Sequence, residues 1–355
     1  MRSGPSAFSR CPPARGASVQ AAQVRVRRSK HNFSRMRIGF LMDPLDEVRV
    51  DHDSTFALML ECQRRGLEVL ELRQEWLYVS EGRTRSRMRT VRVQRKPGAH
   101  FRVLGDSDVA LAALDVLFLR KDPPADQEYV RTTQLVELGP GPALINEPRG
   151  LRAANEKLFA LRFPDLVPPT LVTRDLDRLR AFIDAQGGDG VVKPLDGCGG
   201  RGVLRVRRSD PNLSSLLEIA TEGGRVPVMA QAYLPAVHEG DKRIILLGGQ
   251  PLGAVLRVPR QGELRANFAS GGQAAPASLT PRDREICRRL APALQAFGLW
   301  FVGIDVIGGK LTEVNVTSPT GLVEIDALTG QSLEARVIDF ALERAGLPGR
   351  AAGGI

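Results

Sequence analysis

The sequence lacks the features that would place it in a membrane or build it around disulfide bonds. Its longest strongly apolar stretch, residues 109–119, is interrupted by Asp115 and is too short to span a bilayer. Cysteine is scarce and widely scattered, at positions Cys11, Cys62, Cys198 and Cys287. No two of these cysteines have the spacing of metal ligands or of a disulfide framework. We therefore expect no membrane partner and a reducing, cytoplasmic compartment.

Acidic residues are absent from residues 1–35, although that segment contains eight Arg or Lys residues. The whole chain has 50 Lys or Arg and 40 Asp or Glu residues, so the remaining residues have a net charge of only +2. The overall charge of +10 therefore does not indicate a nucleic-acid partner. The segment lacks the apolar core of a secretory signal, so it is either an extension before a start at Met36 or a targeting segment. A second basic run, residues 83–96, is expected to be a solvated strand or loop face, or a patch that steers an anionic ligand.

The pattern of apolar residues changes at position 37 and predicts a βαβ unit. Residues 38–42 form a short apolar run typical of a buried strand. Residues 53–65 have helical periodicity that ends before Gly66, and residues 69–72 resume the strand pattern. Such a unit predicts a parallel sheet with a ligand near the carboxyl ends of its strands.

Further strands and helices are predicted along the rest of the chain. Residues 115–119 predict a buried strand that leaves Arg120 at its carboxyl end, which is a typical ligand position. Residues 143–146 predict the last strand of the first domain. Residues 155–162 then predict a helix, after which the chain becomes rich in strands. A final amphipathic helix is predicted over residues 332–345.

A hairpin near the C-terminus carries the strongest local signal. Residues 301–316 contain two apolar strands around a Gly-Gly turn. A turn centred on Gly309 places Asp305 opposite Glu313, and Asn315 lies on the same face as Glu313. Two buried carboxylates repel each other unless a cation lies between them. The three side chains therefore predict a site for Mg²⁺ with phosphate oxygens, and a solvent-exposed hairpin face is the alternative.

A strand followed by a Gly-rich loop carries the second signal. An apolar run ends at Lys193, and four glycines then follow within six residues: Gly197, Gly199, Gly200 and Gly202. Backbone N–H groups of such a loop can surround phosphate oxygens, and Lys193 adds a positive charge. The loop lacks the Gly-Lys-Ser/Thr of a P-loop, and an ordinary hairpin turn is the alternative. Cys198 is expected to be a packing residue rather than a nucleophile.

A long polar loop is predicted between two strands of the C-terminal half. Residues 257–272 are polar, are bounded by glycines and include Arg257, Arg265 and Asn267. Long loops inside compact domains are usually functional lids or disordered. Two arginines and an asparagine favour a lid that brings charge-stabilising donors over a reacting phosphate. Residues 228–235, by contrast, have the pattern of an ordinary strand and loop.

Together these segments resemble the ATP-grasp superfamily, and specifically the prokaryotic glutathione synthetases. The resemblance covers residues 36–345 and is carried by collinear stretches at 38–46, 119–124, 151–159, 168–174, 192–197, 240–243 and 311–320. It implies an α/β (α+β) chain with the ATP-grasp fold and an N-terminal parallel-sheet domain. The expected segments are a disordered basic extension (1–35), the N-terminal domain (36–154), the ATP-grasp lid subdomain (155–235), the C-terminal ATP-grasp subdomain with the Mg²⁺ site (236–347) and a disordered tail (348–355).

The resemblance also implies roles for individual residues. Its expected contacts with ATP are Lys157, Lys193, Gly197, Gly199, Gly200 and Gly202 for the phosphates, Gln231, Tyr233 and Leu234 for the adenine, and Asp241 for the ribose. Asp305, Glu313 and Asn315 are expected to hold Mg²⁺, or Mn²⁺ in its place. Arg257, Arg265 and Asn267 are expected to stabilise charge on the transferred phosphoryl group and on the tetrahedral intermediate.

The activity implied by the resemblance is the ATP-dependent ligation of γ-glutamylcysteine and glycine, with release of ADP and phosphate. The dipeptide carboxylate would attack the γ-phosphorus, and the amine of glycine would then attack the acyl phosphate. A closing lid would protect that intermediate from water. A cytoplasmic homo-oligomer, commonly a tetramer, is also implied. The lid departs from the family pattern at Leu264, Ala266, Phe268 and Gln273.

Two other functions remain open from the sequence. A related ATP-grasp carboxylate–amine ligase would use a different acceptor, and the residues near Asp43, Asp46 and Arg120 would decide which one. An ATP-grasp fold can also lose its chemistry and persist as a nucleotide-binding module. The intact residues at the predicted metal and lid positions disfavour that module.

Overall fold

The structure, a computed structural model, describes residues 36–263 and 265–347. The predicted basic extension, the predicted disordered tail and Leu264 lie outside these residues. Within the described part of the chain, the strands form three sheets with helices packed against them. No helix in this part is long and apolar enough to cross a membrane.

The first sheet contains the predicted βαβ unit and has the order β3-β4-β2-β1-β6-β7, with β5 paired to β4. Its strands are β1 (Arg37–Met42), β2 (Glu68–Leu72), β3 (Leu77–Ser80), β4 (Arg83–Val93), β5 (Phe101–Ala110), β6 (Val116–Arg120) and β7 (Ala143–Ile145). Strands β1, β2, β6 and β7 are parallel, which confirms the predicted parallel sheet. Strands β3, β4 and β5 extend it with antiparallel pairs.

Two arginines of the basic run on β4 pair with aspartates of the neighbouring strand. Arg87 donates hydrogen bonds to Asp106 on β5, at 2.5 to 3.0 Å, and Arg85 pairs with Asp108 on the same strand. These pairs are exposed to solvent, so each contributes little to stability. They favour the solvated strand face over a patch that steers a ligand.

The helix predicted over residues 53–65 is present. Helix α1 (Ser54–Arg64) begins because the Asp53 carboxylate accepts a hydrogen bond from the backbone N–H of Phe56, at 2.7 Å. The chain leaves the helix at Gly66, whose φ of +76° is the left-handed conformation that glycine adopts without strain. Two further helices, α2 (Gln127–Val136) and α3 (Pro148–Ala153), complete this region.

The prediction of a helix over residues 155–162 is wrong. Only Phe159–Arg162 forms a single 3-10 turn. The Asn155 side chain accepts a hydrogen bond from the backbone N–H of Lys157, at 3.0 Å, which closes a short turn. Pro164 then prevents a helix from continuing, because proline has no N–H to donate.

The second sheet is antiparallel and has the order β10-β9-β11-β8. Its strands are β8 (Thr170–Thr173), β9 (Asp189–Pro194), β10 (Leu204–Arg207) and β11 (Val228–Ala232). Helices α4 (Leu176–Ala185) and α5 (Leu213–Ala220) cover one face of this sheet, where Leu179, Ile183 and Leu217 are buried against the strands. The opposite face is left for other contacts.

The third sheet is also antiparallel and has the order β14-β13-β12-β15-β16. Its strands are β12 (Asp241–Leu247), β13 (Gln250–Val258), β14 (Gln273–Pro276), β15 (Phe301–Ile307) and β16 (Lys310–Asn315). Its helices are α6 (Pro281–Ala296), α7 (Leu322–Thr329) and α8 (Leu333–Arg344). Helix α8 confirms the predicted final helix.

The predicted hairpin exists, but its register depends on a β-bulge. Gly308 and Gly309 have φ values of +55° and +73° and form a two-residue turn, with Ile307 opposite Lys310. Without a bulge, this turn would place Asp305 opposite Thr312. The register shifts between Asp305 and Val306, so Thr312 is the extra residue and Asp305 lies opposite Glu313, as predicted.

A pair of acidic side chains between α7 and α8 should make stability depend on pH. Asp326 accepts a hydrogen bond from the backbone N–H of Leu333, at 3.0 Å, and its carboxyl group faces that of Glu334. Burial, followed by the hydrogen bond with Glu334, raises the pKa of Asp326 from 3.8 to about 8. The folded state thus holds this proton more tightly than the unfolded state. Its contribution to stability is lost as the pH rises from about 4 to about 8.

Asp326→Asn should remove this pH dependence, because the amide imitates the protonated acid. We expect the variant to gain stability relative to the wild-type chain between pH 5 and pH 9, as measured by urea unfolding. The same stability difference at both pH values would contradict the assignment.

Candidate functional site

A cleft of about 820 Å³ lies between the second and third sheets. The structure brings many of the predicted site residues to its lining: Lys193, Gly200, Gln231, Tyr233, Leu234, Asp241, Arg265, Asn267, Asp305 and Glu313. The remaining predicted residues are not part of this lining: Lys157, Gly197, Gly199, Gly202, Arg257 and Asn315. Three of them nevertheless contact residues of the lining: Lys157 contacts Glu313, and Arg257 and Asn315 contact Asp305.

The third sheet places five charged side chains on neighbouring strands by its register alone. Asp241 on β12 lies opposite Arg257 on β13, and Arg243 on β12 lies opposite Asp305 on β15. Asp305 in turn lies opposite Glu313 on β16. Since residues two apart or directly opposite share one face of a sheet, all five side chains lie on the same face.

Two arginines hold Asp305 inside this charged row. Arg243 donates to both carboxylate oxygens of Asp305, at 2.5 and 2.9 Å, and Arg257 Nη2 lies 2.8 Å from Asp305 Oδ2. Burial by itself would raise the pKa of Asp305, but the charges of Arg243 and Arg257 hold it well below its usual range. Asn315 Nδ2 donates to Asp305 Oδ2 at 3.3 Å. Asp305 is therefore ionised, and its orientation is fixed.

Arg243 is the site residue that the sequence analysis missed. It was part of a family-like stretch, but no role was assigned to it. The signal was its position two residues after Asp241, which puts both side chains on the same face of β12. Only the pairing of β12 with β15 reveals that this face meets Asp305.

Arg257 does not lie in the predicted loop. It belongs to β13, is only 2% exposed and pairs with Asp241 as well as with Asp305. Burial would lower the pKa of Arg257, but the two carboxylates raise it. Burial raises the pKa of Asp241 to about 6, against the opposing charge of Arg257. The loop itself starts after Val258. Of the two arginines expected to act from the lid, only Arg265 therefore lies in it.

The two predicted lysines converge on Glu313. Lys193 is at the end of β9, and burial lowers its pKa, whereas the charge of Glu313 raises it. Lys157 Nζ lies 3.8 Å from Glu313 Oε1 and donates to the backbone carbonyl of Gly197, at 2.5 Å. The lysines thus connect the second sheet and its Gly-rich loop to the carboxylates of the third sheet.

The Gly-rich loop and the predicted lid touch each other across the mouth of the cleft. Ser270 Oγ donates to the carbonyl of Gly199, at 2.9 Å. Gly200 has a φ of +77°, and a Cβ atom there would lie 2.8 Å from Asn267 Oδ1. Arg265, also in the lid, pairs with Glu263 at 2.6 Å. A side chain at position 200 would therefore separate the two loops.

Gly200→Ala should weaken nucleotide binding without unfolding the protein. The added Cβ strains the backbone by roughly 1–2 kcal/mol and displaces Asn267, so we expect KM for ATP to rise about tenfold. Gly223→Ala is the matched control, because Gly223 has a φ of +70° but the nearest atom to its Cβ is Arg225 Nη1, at 3.9 Å. Equal KM values for the two variants would contradict a role for Gly200 in the cleft.

The far end of the cleft is less polar and contains an aromatic side chain. Tyr233 and Leu234 follow β11, and Gln231 donates to Thr170 Oγ1 at 3.0 Å. Arg205 lies over the Tyr233 ring, with its Cζ 3.5 Å from the ring centroid. This end of the cleft thus combines the Tyr233 ring and the Leu234 side chain with the amide of Gln231.

A second cavity, of about 1030 Å³, lies at the carboxyl ends of β1 and β6. Its lining includes Asp43 and Arg120, as expected for a ligand position in a parallel sheet. Asp46 does not line it, because this side chain is 68% exposed and lies 3.6 Å from Arg73, but its neighbour Glu47 does. Asp43 pairs with Lys121 at 2.7 Å.

The donor set in the cleft fits a cation only with help from a ligand. Among residues 36–263 and 265–347, no group of three or more His, Cys, Asp or Glu side chains is placed to hold a metal ion. Asp305, Glu313 and Asn315 offer two carboxylates and one amide oxygen. Hard cations such as Mg²⁺ are commonly held by one or two carboxylates plus phosphate oxygens. The arrangement is therefore suited to a metal that arrives with a polyphosphate.

Comparison with known proteins gives matches over nearly all of the described chain. Residues 36–152 match the family model "Prokaryotic glutathione synthetase, N-terminal domain", and residues 156–330 match "Prokaryotic glutathione synthetase, ATP-grasp domain". The chain is 44% identical over 312 residues to the glutathione synthetase of Pseudomonas syringae pv. tomato, covering 87% of this chain and 97% of that protein. It is 43% identical over 307 residues to that of Escherichia coli K12, covering 86% and 97%.

Solved structures with the same fold are more distant in sequence. D-cycloserine synthetase DcsG has a TM-score of 0.59 at 18% identity, covering 87% of this chain and 99% of that one. The ATP-grasp ligase PsnB, in a complex with a phosphomimetic variant of its minimal precursor, Mg and ADP, has a TM-score of 0.54 at 18% identity, covering 90% and 99%. At this identity the likeness concerns the fold alone.

Proposed function

Because this chain belongs to the prokaryotic glutathione synthetase family, we propose that the cleft between its second and third sheets is the catalytic site. The chain has the ATP-grasp fold and is an ATP-dependent ligase with γ-glutamylcysteine and glycine as substrates, as the sequence predicts. The observation that carries the proposal is the row of charges from Arg257 to Glu313, which faces two lysines across one cleft.

We propose that ATP lies along the cleft with its phosphates at the Gly-rich loop. Lys157 and Lys193 would contact the phosphates, together with backbone N–H groups of the loop glycines. The adenine would occupy the less polar end beside Gln231, Tyr233 and Leu234, and Asp241 would approach the ribose. The closeness of the lysines to Glu313 supports this orientation, because the phosphates would then reach the carboxylates.

We propose that Asp305, Glu313 and Asn315 hold Mg²⁺, or Mn²⁺ in its place. The fit rests on Asp305 being ionised, on the partly exposed Glu313 carboxylate and on the amide of Asn315, whose Nδ2 faces Asp305. When bound, the metal would offset negative charge on the phosphate oxygens. Arg257 would act through Asp305, by fixing its orientation, rather than on the phosphate itself.

The reaction needs no covalent enzyme nucleophile. The cysteinyl carboxylate of γ-glutamylcysteine attacks the γ-phosphorus of ATP, and ADP leaves. The amine of glycine then attacks the acyl carbon, and phosphate leaves as the amide bond forms. We propose that Arg265 and Asn267 stabilise the charge that gathers on the oxygens in both steps. The contact of the lid with Gly199 supports a closed cleft that protects the acyl phosphate from water.

Phosphate release tests the proposed reaction. With ATP and Mg²⁺, we expect release only when both γ-glutamylcysteine and glycine are present. A panel of other dipeptides and amines is the control. Release that requires a different acceptor would point to a related carboxylate–amine ligase, and ATP binding without any release would point to a nucleotide-binding module.

We also propose that residues 36–154, 155–235 and 236–347 are separate structural domains. Each range contains all the strands of one sheet, which supports the division. A cytoplasmic homo-oligomer, with a tetramer as the expected form, is a further proposal from the family resemblance. Light scattering of the purified chain would test the oligomer, and a dominant monomer would contradict it.

A further inference from the structure

A segment of three residues, 155–157, contacts both the second and the third sheet. Asn155 Nδ2 donates to the carbonyl of Leu195, at 3.3 Å, just before the Gly-rich loop. Lys157 Nζ lies 3.8 Å from Glu313 Oε1 on β16. Glu156 lies between these two residues in the chain, and it contacts the end of β16. The segment therefore connects the loop proposed to bind phosphate with the hairpin proposed to hold the metal.

Glu156 holds the backbone on both sides of Asn315, a proposed ligand of the metal. Its carbonyl accepts a hydrogen bond from the N–H of Val314, at 2.8 Å. Its side-chain Oε1 accepts hydrogen bonds from the N–H of Val316, at 3.2 Å, and from Thr317 Oγ1, at 3.0 Å. Because both neighbours of Asn315 donate to the same residue, the position of Asn315 depends on Glu156.

Glu156 is not placed to meet a ligand itself. It belongs neither to the lining of the cleft nor to the lining of the second cavity. A carboxylate beside the phosphates of ATP would also repel them. An effect of Glu156 on the reaction therefore passes through the groups that it holds, and Asn315 is the first of these.

We propose that Glu156 is a positioning residue for the metal site, an inference that rests on the proposed function. It fixes the end of β16, and with it Asn315, relative to Lys157 at the next position of its own segment. This contact sets the spacing between the lysine that contacts the phosphates and the amide that holds the metal. Outer partners of this kind orient metal ligands, and their loss commonly costs about 10–100-fold in metal affinity or activity.

Substitution separates the reach of the Glu156 side chain from its charge. Glu156→Gln keeps the length of the side chain and an oxygen that can accept the same hydrogen bonds, but it removes the charge. Glu156→Asp keeps the charge but is one methylene shorter, so its oxygen no longer reaches the N–H of Val316. Positioning depends on reach, so the two variants should behave differently.

The readouts are Mn²⁺ affinity in a ternary complex with a non-hydrolysable ATP analogue, and kcat for phosphate release. In Glu156→Asp we expect Mn²⁺ affinity and kcat each to fall about 10–100-fold. In Glu156→Gln we expect both to stay within about threefold of the wild-type values. Binding of the ATP analogue without a metal should be unchanged in both variants, because Lys193 and the Gly-rich loop are not altered. A role in stability alone would not separate these two kinds of binding.

Asp283→Asn is the matched control, because the Asp283 carboxylate likewise accepts a hydrogen bond from a backbone N–H, that of Thr280, at 2.8 Å. It should lose stability, measured by urea unfolding, but keep its Mn²⁺ affinity at a temperature where it is folded. Mn²⁺ affinity that falls in proportion to stability across the three variants would overturn the proposal. Equal behaviour of Glu156→Asp and Glu156→Gln, or a loss confined to Glu156→Gln, would also overturn it.

Failure of the proposed function would look different. A wild-type chain that forms no ternary complex with Mn²⁺, and releases no phosphate with γ-glutamylcysteine and glycine, would overturn that function. An active wild-type chain whose Glu156→Asp variant keeps normal Mn²⁺ affinity would overturn only the role of Glu156.

Discussion

Glu313→Gln is expected to lower kcat by about 10³-fold and to leave the fold intact. The Glu313 side chain is 21% exposed towards the cleft, and its ion pair with Lys157 is long, at 3.8 Å. The loss of one carboxylate charge therefore removes little structural energy. It removes a ligand of the proposed metal and the counter-charge of two lysines, which we propose to contact the phosphates of ATP. Phosphate release and thermal melting, measured on the same preparation, check both parts.

The control for this variant is Glu285→Gln on α6. Glu285 also forms an ion pair, with Arg282 at 2.9 Å, and its side chain is 38% exposed, but it lies outside the cleft lining. We expect normal kcat for this variant. A Glu313→Gln protein with kcat within threefold of the wild-type value would remove Glu313 from the catalytic site.

Asp305→Asn is expected to abolish turnover and also to destabilise the protein, by about 3–5 kcal/mol. Asp305 is 2% exposed, and its carboxylate is the shared partner of Arg243 and Arg257. An amide of the same size leaves two buried guanidinium groups without their counter-charge. Urea unfolding measures the loss of stability, and phosphate release at a temperature where the variant is folded measures the loss of activity. Unchanged stability would contradict the structural part of this role.

Asp283→Asn separates stability from catalysis. Asp283 is also 2% exposed and pairs with Lys242 at 2.6 Å, and its carboxylate accepts a hydrogen bond from the backbone N–H of Thr280, the N-cap of α6. Its replacement should destabilise the chain but leave kcat normal while the protein is folded. If both aspartate variants lost activity in proportion to stability, the activity loss in Asp305→Asn would be a folding effect.

The hairpin of β15 and β16 shows how much of the site can be predicted from the local sequence pattern. The prediction that Asp305, Glu313 and Asn315 share one face rested on the alternation of apolar residues around a Gly-Gly turn. The prediction of the pairing was correct although the turn has two residues, because the bulge at Thr312 compensates for the shift. A bulge has no clear signature in a single sequence, so the pairing could not have been derived rigorously from spacing alone.

Contacts between distant segments explain what the sequence could not provide. Arg243 is 62 residues from Asp305, and the two meet only because β12 lies between β13 and β15. The same strand order buries Arg257, which looks like a loop residue in the sequence. Asp46 shows the opposite case, since its side chain turns towards Arg73 and away from the cavity beside it. The order of strands in a sheet and the direction of a side chain such as Asp46 depend on tertiary packing, so the local sequence does not predict them.

Binding of Mn²⁺ with a non-hydrolysable ATP analogue, followed by electron paramagnetic resonance, addresses the proposed metal ligands without relying on turnover. The wild-type chain should form a ternary complex with a protein-dependent Mn²⁺ spectrum. Glu313→Gln should weaken Mn²⁺ in that complex by about 10–100-fold, and Glu285→Gln should not. A Glu313→Gln complex with wild-type affinity and spectrum would show that the metal, if held at all, is held elsewhere.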